Sequence, residues 1–270
     1  MLMRCVAPSE HLRPFVNGYY VICYDASEQV EQRLVPNGCI GMNFCRRNGL
    51  AYGNHGHIGS CIGGQQNGFF DVIAEADTEI IGVEFKPYGA QVFFDFPVSH
   101  LSGKMVAISD FGDRSLTHLE QMVVSMPTIG QSIAAIEGWL TARLEVSRVD
   151  MLNVRRVASS VAHAIAGSDV DTMASAACVG VRHIDRLFAE IVGTSPKQYM
   201  RIRRFHRAME LIHRGMPQLA DVAWAAGYYD VSHMIREFRL LSGYTPRQFN
   251  NATDCECRWL AERIDSNVID

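Results

Sequence analysis

Two arginines of this chain, Arg186 and Arg236, lie 50 residues apart in segments of similar sequence. A guanidinium group donates two parallel hydrogen bonds, which suits a carboxylate, a phosphate or the O6 and N7 atoms of guanine. Arg182 lies one helical turn before Arg186, and Asp185 can accept a hydrogen bond from cytosine N4 or orient either arginine. The spacing therefore indicates two equivalent sites at which side chains read bases or bind phosphate.

The segments around these arginines form an internal repeat. Residues 185–199 read DRLFAEIVGTSPKQY, and residues 235–249 read IREFRLLSGYTPRQF, with matching Phe, Gly, Pro and Gln positions. Each copy predicts a short apolar helix, a turn and a second helix, which is the pattern of a helix-turn-helix. The two units span about residues 171–192 and about residues 218–242.

The second helix of each unit has an apolar side and an open side. In the second unit, Asp230 is the predicted N-cap. Arg236 on the open side is a candidate for base contact, and the alternatives are phosphate binding or an ion pair with Glu237 or Asp230. The candidate DNA-contacting residues are Arg182, His183, Asp185 and Arg186 in the first unit and Val231, Ser232, His233 and Arg236 in the second.

The dipeptides SP at 195–196 and TP at 245–246 are predicted to start helices, with Ser195 and Thr245 as caps. Free backbone N–H groups at the start of a helix suit a phosphate. Because Lys197 and Arg247 follow these dipeptides at equivalent positions, both turns are predicted to bind the phosphate backbone of DNA.

Residues 199–215, YMRIRRFHRAMELIHRG, predict a helix that joins the two units. Its four arginines between positions 201 and 207 are interpreted as a solvent-exposed helix face that adds to the positive electrostatic potential of this segment. A single linking helix would fix the spacing of the recognition helices. A spacing of about 34 Å would let them enter successive major grooves.

Charge is unevenly distributed along the chain, although the formal net charge is only −4. Residues 1–150 carry a net charge of −6, residues 151–250 of +5, and residues 251–270 of −3. A basic segment between two acidic ones predicts a polyanionic partner for the C-terminal half of the chain.

The first 100 residues are predicted to be mostly β-structure. Residues 69–85 predict a hairpin with its turn near positions 76–78, and residues 86–97 predict a helix. An apolar stripe over residues 129–144 predicts an amphipathic helix that either packs onto the β-domain or pairs two subunits. The aromatic residues that either form the core or line a pocket are Tyr19, Tyr20, Phe44, Tyr52, Phe69, Phe85 and Tyr88.

None of the eight cysteines forms a CxxC pair, and no catalytic or phosphate-loop motif occurs, so no metal site or cofactor is predicted. A second functional class is a DNA-repair alkyl acceptor or a thiol-based sensor that uses the N-terminal cysteines. The weaker candidates for metal or redox chemistry are His55, His57 and Cys61, and Cys255 with Cys257. No apolar run suits a membrane span or a signal peptide, which predicts a cytoplasmic protein.

The motifs GTSPKQYMRIRRFHRAMELI and LADVAWAAGYYDVSHMIREFRLLSGYTPRQF resemble the DNA-binding domain of the AraC/XylS family of bacterial transcription regulators. The resemblance covers about residues 150–250 and implies seven helices with two helix-turn-helix units. It also implies that Arg182, Asp185 and Arg186 reach bases from the first unit, and Val231, Ser232, His233 and Arg236 from the second. Cys178 stands where the family usually has glycine, and Gly180 where it has a serine or threonine cap, which predicts a less rigid first unit.

The fragments LVPNGCIGMNF and IIGVEFKPYGA resemble, less closely, an uncharacterised β-rich domain that precedes this module in some members. The expected architecture is α+β. A barrel-like β-rich domain with flanking helices is expected over residues 1–147, an all-α DNA-binding domain over 148–252 and an acidic tail over 253–270. The implied partner is double-stranded DNA. For the N-terminal domain, a small-molecule effector, a homodimer contact and a contact with RNA polymerase all stay open.

Overall fold

The computed structural model of the chain describes residues 2–24, 29–52, 56–165 and 169–249. The strands in these ranges are β1 (Leu2–Val6), β2 (Val16–Cys23), β3 (Val30–Leu34), β4 (Gly41–Arg47), β5 (Leu50–Tyr52), β6 (His57–Ile58), β7 (Cys61–Gly63), β8 (Phe70–Ala74), β9 (Glu79–Phe85) and β10 (Met105–Ala107). The α-helices are α1 (Arg114–Ser125), α2 (Ile129–Glu145), α3 (Met151–Ile165), α4 (Val170–Ala176), α5 (Val181–Ile191), α6 (Pro196–His213), α7 (Leu219–Ala225), α8 (Val231–Ser242) and α9 (Pro246–Phe249).

The strands form two antiparallel sheets. The larger sheet has the order β1-β2-β9-β4-β7-β10, and the smaller has the order β3-β8-β5-β6. The α+β expectation is confirmed, with antiparallel sheets in the N-terminal part and helices in the C-terminal part. The expectation of a barrel is corrected, because the described strands form two sheets whose outer strands do not pair to close a barrel.

The hairpin predicted over residues 69–85 is wrong. The chain does turn at Asp77, where φ is +54°, but the strands on either side of the turn belong to different sheets. β8 pairs with β3 and β5, whereas β9 pairs with β2 and β4. Every residue of β9 is buried, so this strand needs a partner at each edge and cover on both faces. A central position in the larger sheet provides both.

The helix predicted over residues 86–97 is also wrong, because only a three-residue 3-10 helix forms, at Ala90–Val92. The chain lies too close to an earlier segment for a regular helix with side chains. A Cβ atom at Gly89 would come within 1.9 Å of the carbonyl oxygen of Phe15. That same oxygen accepts a hydrogen bond from the backbone N–H of Lys86 over 2.8 Å. Tertiary contacts override the local signal at this point.

The apolar stripe of α2 packs onto the N-terminal part of the chain. Ile136 and Leu140 are fully buried in the same apolar core as Phe44 and Phe85, which confirms the packing interpretation of this stripe. Tyr19 also lies in this core. Among the described residues, no helix has the length and apolar character that a membrane crossing requires.

The buried core continues from the N-terminal sheets into the first helix-turn-helix unit. Val157 of α3 and Leu187 of α5 belong to the same apolar cluster as the sheet residues. A second cluster holds α7, α8 and the C-terminal half of α6 together, and it includes Val35 from the N-terminal part. The predicted boundary between residues 147 and 148 is therefore crossed by buried contacts.

Candidate nucleic-acid interface

Helices α4 and α5 form the first helix-turn-helix unit. α5 buries one apolar stripe, so Arg182, Asp185 and Arg186 lie exposed on its other side. His183 is half-buried, and its Nε2 atom lies 3.4 Å from Nη2 of Arg186. Within the described ranges, Arg182 and Asp185 form no hydrogen bond or ion pair, so Asp185 does not orient an arginine here. The structure brings these four candidates onto one short surface.

Helices α7 and α8 form the second unit, and α8 begins after Asp230. The Asp230 carboxylate accepts a hydrogen bond from the backbone N–H of His233 over 2.6 Å, which confirms the predicted cap. Val231 is half-buried at the start of α8, while Ser232 and Arg236 are exposed. In the part of the chain that the structure describes, Arg236 forms no ion pair, so the ion-pair alternative is not observed.

Glu237 joins the recognition helix α8 to the linker helix α6. Its carboxylate lies 3.0 Å from Nε of Arg201, 3.6 Å from Nη2 of Arg204 and 3.5 Å from Nε2 of His233. The Arg201 and Arg204 side chains are only 21% and 28% exposed. The prediction that these two arginines belong to a solvent-exposed helix face is therefore wrong. A largely buried carboxylate needs such partners, and here they hold α8 against α6.

The turns of the two units have the same backbone shape. Gly227 has φ of +82°, and its counterpart Cys178 has φ of +55°. In both turns the following N–H donates to a carbonyl five positions earlier, over 2.9 and 3.0 Å. Gly180, the N-cap of α5, has no side-chain oxygen to accept from the helix. The first unit therefore has a strained turn and a weak cap, where the second has glycine and Asp230.

The two predicted helix starts after these units are confirmed as capped turns. The hydroxyls of Ser195 and Thr245 each accept a hydrogen bond from the backbone N–H three residues later, over 3.2 Å. Lys197 and Arg247 are exposed directly after these caps. Their contact with phosphate remains a prediction.

Two large aromatic side chains beside α8 were not among the sequence candidates. Trp224 on α7 is 84% exposed, and Tyr229, directly before the N-cap of α8, is 93% exposed. The signal that could have identified them is positional. Trp224 lies off the apolar stripe of α7. Tyr229 lies in the turn before α8, where the neighbouring Tyr228 packs into the core and Tyr229 stays outside.

Residues 33–39, which run from the end of β3 towards β4, contact the C-terminal helices, and we name them the docking segment. His206 of α6 is buried, and its Nε2 atom donates a hydrogen bond to the carbonyl oxygen of Pro36 over 2.7 Å. Burial, assisted by the nearby Arg203 charge, lowers the pKa of His206 to about 4. Val35 packs into the core of the second unit.

Arg33, at the start of the docking segment, bridges the smaller sheet and the turn after α8. Its guanidinium carbon lies 4.2 Å from the ring centre of Phe69 and 4.8 Å from that of Tyr244. Two of its nitrogens donate to the Asp71 carboxylate over 2.7 and 2.9 Å. The N-terminal part therefore contacts the turn after α8 through stacked planar groups.

Two of the N-terminal thiols, those of Cys45 and Cys61, are poorly placed for nucleophilic chemistry. Burial raises the pKa of the Cys45 thiol to about 12, with Cys61 nearby, and Cys61 itself is fully buried. A thiol that stays protonated is a poor nucleophile and a poor metal ligand. Among the described residues no group of three His, Cys, Asp or Glu side chains is placed to hold a metal ion. His55, Cys255 and Cys257, and the side chain of His57, lie outside the described residues.

Several solved structures are similar in part to this chain. An AraC-type DNA-binding domain-containing transcriptional regulator from Chromobacterium violaceum is 23% identical, with 38% of this chain and 95% of that chain covered and a TM-score of 0.35. ToxT from Vibrio cholerae is 12% identical, with 86% and 98% covered and a TM-score of 0.44. The DNA-binding domain of AdpA, in complex with a target DNA, is 25% identical, with 39% and 94% covered and a TM-score of 0.34.

Two protein families match separate parts of the sequence. A "Helix-turn-helix domain" family matches residues 173–252, and the "Domain of unknown function (DUF6597)" family matches residues 4–107. The HTH-type transcriptional regulator ArgR of Pseudomonas aeruginosa is 26% identical over 81 residues, which is 30% of this chain. The match spans only 25% of that curated relative's length. The resemblance found in the sequence is confirmed: the C-terminal part of this chain is an AraC-type helix-turn-helix domain, preceded by a DUF6597 domain.

Proposed function

We propose that this chain is a sequence-specific, DNA-binding transcription regulator that reads two major-groove segments with α5 and α8. The observation that carries the proposal is the matched position of Arg186 and Arg236. Each arginine lies exposed on the open face of the second helix of its unit. Neither forms an ion pair with a carboxylate in the described part of the chain.

The two arginines would supply the sequence preference, because a guanidinium can donate to both O6 and N7 of one guanine. Val231 can contact a thymine methyl group, and Ser232 can donate to a base or a phosphate. Lys197 is exposed and suits phosphate, a contact that positions the protein without reading sequence. The net charge of +5 over residues 151–250 supports the non-specific part of the affinity.

Trp224 and Tyr229 extend this proposed surface. Both are exposed beside the start of α8, where the backbone of a duplex bound by α8 would pass. Their planar side chains can pack against deoxyribose, and the Tyr229 hydroxyl can donate to phosphate. This would explain why two large aromatic side chains stay out of the core.

The N-terminal part would control this DNA binding through a small-molecule effector, through pairing of subunits or through RNA polymerase. The docking segment supports a controlling role, since it contacts α6 and the end of α8. For Cys45, the raised pKa of its thiol counts against the alternative of an alkyl acceptor or thiol sensor.

The test is selection of binding sites from random double-stranded DNA with the full chain. The comparison is the double variant Arg186→Ala and Arg236→Ala, and the matched control is Arg114→Ala, which removes an exposed arginine from α1. We expect enrichment of two short blocks about one helical turn apart, retained in the control and lost in the double variant. If the double variant still enriches the same two blocks, the proposal that Arg186 and Arg236 read the bases is rejected.

A further inference from the structure

The linker helix α6 joins the two helix-turn-helix units through two separate stretches. Tyr199 and Met200 belong to the apolar cluster that contains α5, whereas Phe205 and Ile212 belong to the cluster that contains α8. The two units therefore share one helix, and each packs in its own core. Because a helix of several turns can bend gently, α6 alone leaves the recognition helices α5 and α8 free to shift relative to each other.

The docking segment packs on α6 where the first stretch gives way to the second. Tyr199, Ile202 and His206 are spaced by three and four residues, which places them on one face of the helix, and all three are buried. Pro36 accepts the hydrogen bond from His206. A Cβ at Gly38 would lie 3.0 Å from the ring of Tyr199 and 3.7 Å from the side chain of Ile202. The docking segment therefore spans the junction between the two units.

The N-terminal part of the chain also holds each unit separately. Val98 lies in the same apolar cluster as Phe188 of α5. On the other side, Val35 lies in the cluster of the second unit, and Arg33 stacks on Tyr244 in the turn after α8. The recognition helices are therefore joined twice, once through α6 and once through the N-terminal part. Two connections at different points resist the bending that one helix would allow.

The distance and the rotation between α5 and α8 decide which DNA sites both helices can enter together. One additional base pair between two blocks of bases moves them apart by about 3.4 Å and rotates them by about 35°. If the two helices are held rigidly, such a change places one of them outside its groove, and its contribution to the affinity is lost. If the helices can shift, both still bind. The stiffness of the connection therefore sets how strictly the protein selects the spacing.

We propose that the docking segment sets the spacing of the two base blocks that the protein selects, with Arg33, Val35 and Pro36 as positioning residues for α8. These residues act by holding α8 relative to α5, and the side chains on the two helices determine the preference within each block. The inference rests on the proposed function, because it concerns the sites that such a regulator binds. It assigns the choice of spacing to the N-terminal part as well as to the helix-turn-helix domain.

The first test measures how the affinity of the full chain changes with the spacing. The site selected by wild type is shortened and lengthened by one and two base pairs between its blocks. The loosened variant, Arg33→Ala with Val35→Ala, removes two contacts of the docking segment. The matched control, Arg47→Ala with Val30→Ala, removes the same residue types where they pair or pack within the sheets. Wild type and control should lose about tenfold or more in affinity for each base pair, and the loosened variant about threefold or less.

The spacing profile separates a positioning role from a purely structural one. A loosened variant that is only less stable binds more weakly at every spacing by the same factor, because only its folded fraction changes. Urea unfolding of each variant gives that fraction. A uniform loss of this kind, or a profile equal to that of wild type, would overturn the inference.

The second test measures the connection itself and needs no DNA. Spin labels on non-natural amino acids replace Ala189 of α5 and Arg239 of α8, which are exposed and occupy equivalent positions of the repeat. Pulsed electron paramagnetic resonance then gives the distribution of distances between the labels. We expect a narrow distribution in wild type and in the control, and a broader one in the loosened variant. If the double substitution does not fold, Val35→Ala alone should broaden the distribution to a lesser extent.

The two tests separate this inference from the proposed function. A wild type that selects no DNA sites would reject the proposed function, whereas the distance distributions decide whether the docking segment holds the two units. Distributions of equal width in wild type, the loosened variant and Val35→Ala would overturn the inference whatever the DNA result. A broader distribution together with a broader spacing profile is the expected result.

Discussion

The ring of His206 and the carbonyl oxygen of Pro36 share a buried hydrogen bond that joins the linker helix to the N-terminal domain. The two residues are 170 positions apart, and the imidazole donates to the carbonyl oxygen through Nε2. Protonation would place a charge in a site without solvent, beside the positive charge of Arg203.

The His206 pair predicts an acid-sensitive contact. The pKa of His206 falls from 6.5 in the unfolded chain to about 4 in the folded protein, so between these values the unfolded chain binds more protons. The contribution of His206 to the free energy of unfolding is therefore fully present above pH 6.5. It is lost as the pH falls towards 4, by about 3 kcal/mol. We would measure urea unfolding from pH 7.5 to 4.5 for wild type, His206→Gln and the exposed control His100→Gln. A parallel pH dependence in wild type and His206→Gln would contradict the assignment.

The turn of the first helix-turn-helix unit predicts a stabilising substitution. Cys178 has φ of +55°, a region that costs a residue with a side chain roughly 1 kcal/mol and costs glycine little. Cys178→Gly should therefore relieve about 0.5–1 kcal/mol of strain and raise the free energy of unfolding. The greater conformational freedom of glycine in the unfolded chain offsets part of this gain. The matched substitution in the second unit, Gly227→Cys, should be destabilising. Chemical denaturation of both variants measures the difference, and equal signs would count against strain at Cys178.

The cap of α5 predicts a second gain. Gly180 has an extended backbone that suits an N-cap, and a Cβ there would meet nothing within 4 Å. The N–H of His183 already donates to the carbonyl oxygen of Gly180 over 2.9 Å. Gly180→Ser adds a hydroxyl that can accept from the N–H of Arg182, and it restricts the unfolded chain. The expected gain is about 0.5–1 kcal/mol in unfolding free energy. Gly180→Ala, which lacks the hydroxyl, is the control, and an equal gain in both variants would show that capping contributes nothing.

The stacked contact of Arg33 predicts an energetic coupling between the two parts of the chain. Arg33 is paired with Asp71 on its own sheet and lies over the ring of Tyr244 beyond α8. A double-mutant cycle of Arg33→Ala and Tyr244→Ala should give a coupling of about 0.5–1 kcal/mol in unfolding free energy. The cycle of Arg33→Ala with Tyr88→Ala serves as a comparison. Additive effects of the Arg33 and Tyr244 substitutions would mean that the stack adds no stability.

Arg236 and Lys197 predict two different losses of DNA affinity. Arg236→Ala should cost about 1–3 kcal/mol at the selected site and relax the preference at one base pair. Lys197→Ala should weaken binding to all sequences alike and reduce the salt dependence by about one counterion. Equilibrium binding at several salt concentrations, to the selected site and to scrambled DNA, separates the two. A uniform loss in Arg236→Ala would assign that arginine to the backbone instead.

The helix-turn-helix units could be predicted from the sequence because their signals are local. The cap at Asp230, the glycine at 227 and the apolar spacing of α8 all lie within one unit, and the repeat at an offset of 50 supplies each signal twice. The fold class followed from these patterns. Local signals also predicted the caps at Ser195 and Thr245.

The wrong predictions all concern contacts between distant segments. Two strands do follow each other across the turn at Asp77, as in a hairpin. However, β9 pairs with strands about 40 and 60 residues earlier, which no local pattern encodes. The pairing of Arg201 and Arg204 with Glu237 depends on how α8 packs on α6. The docking segment was not predicted for the same reason, since Pro36 and His206 meet only in the folded chain.

The family match and the buried core divide the chain at different positions. The family match begins at residue 173, but the apolar side of α5 is covered in part by residues 98–101, and a Cβ at Gly193 would lie 3.1 Å from the carbonyl oxygen of Val98. A fragment that begins at residue 148 would leave that side of α5 open to water. Its second unit would keep the members of the second apolar cluster except Val35. The first helix-turn-helix unit is therefore a structural part of the N-terminal half, and the second is a nearly self-contained module.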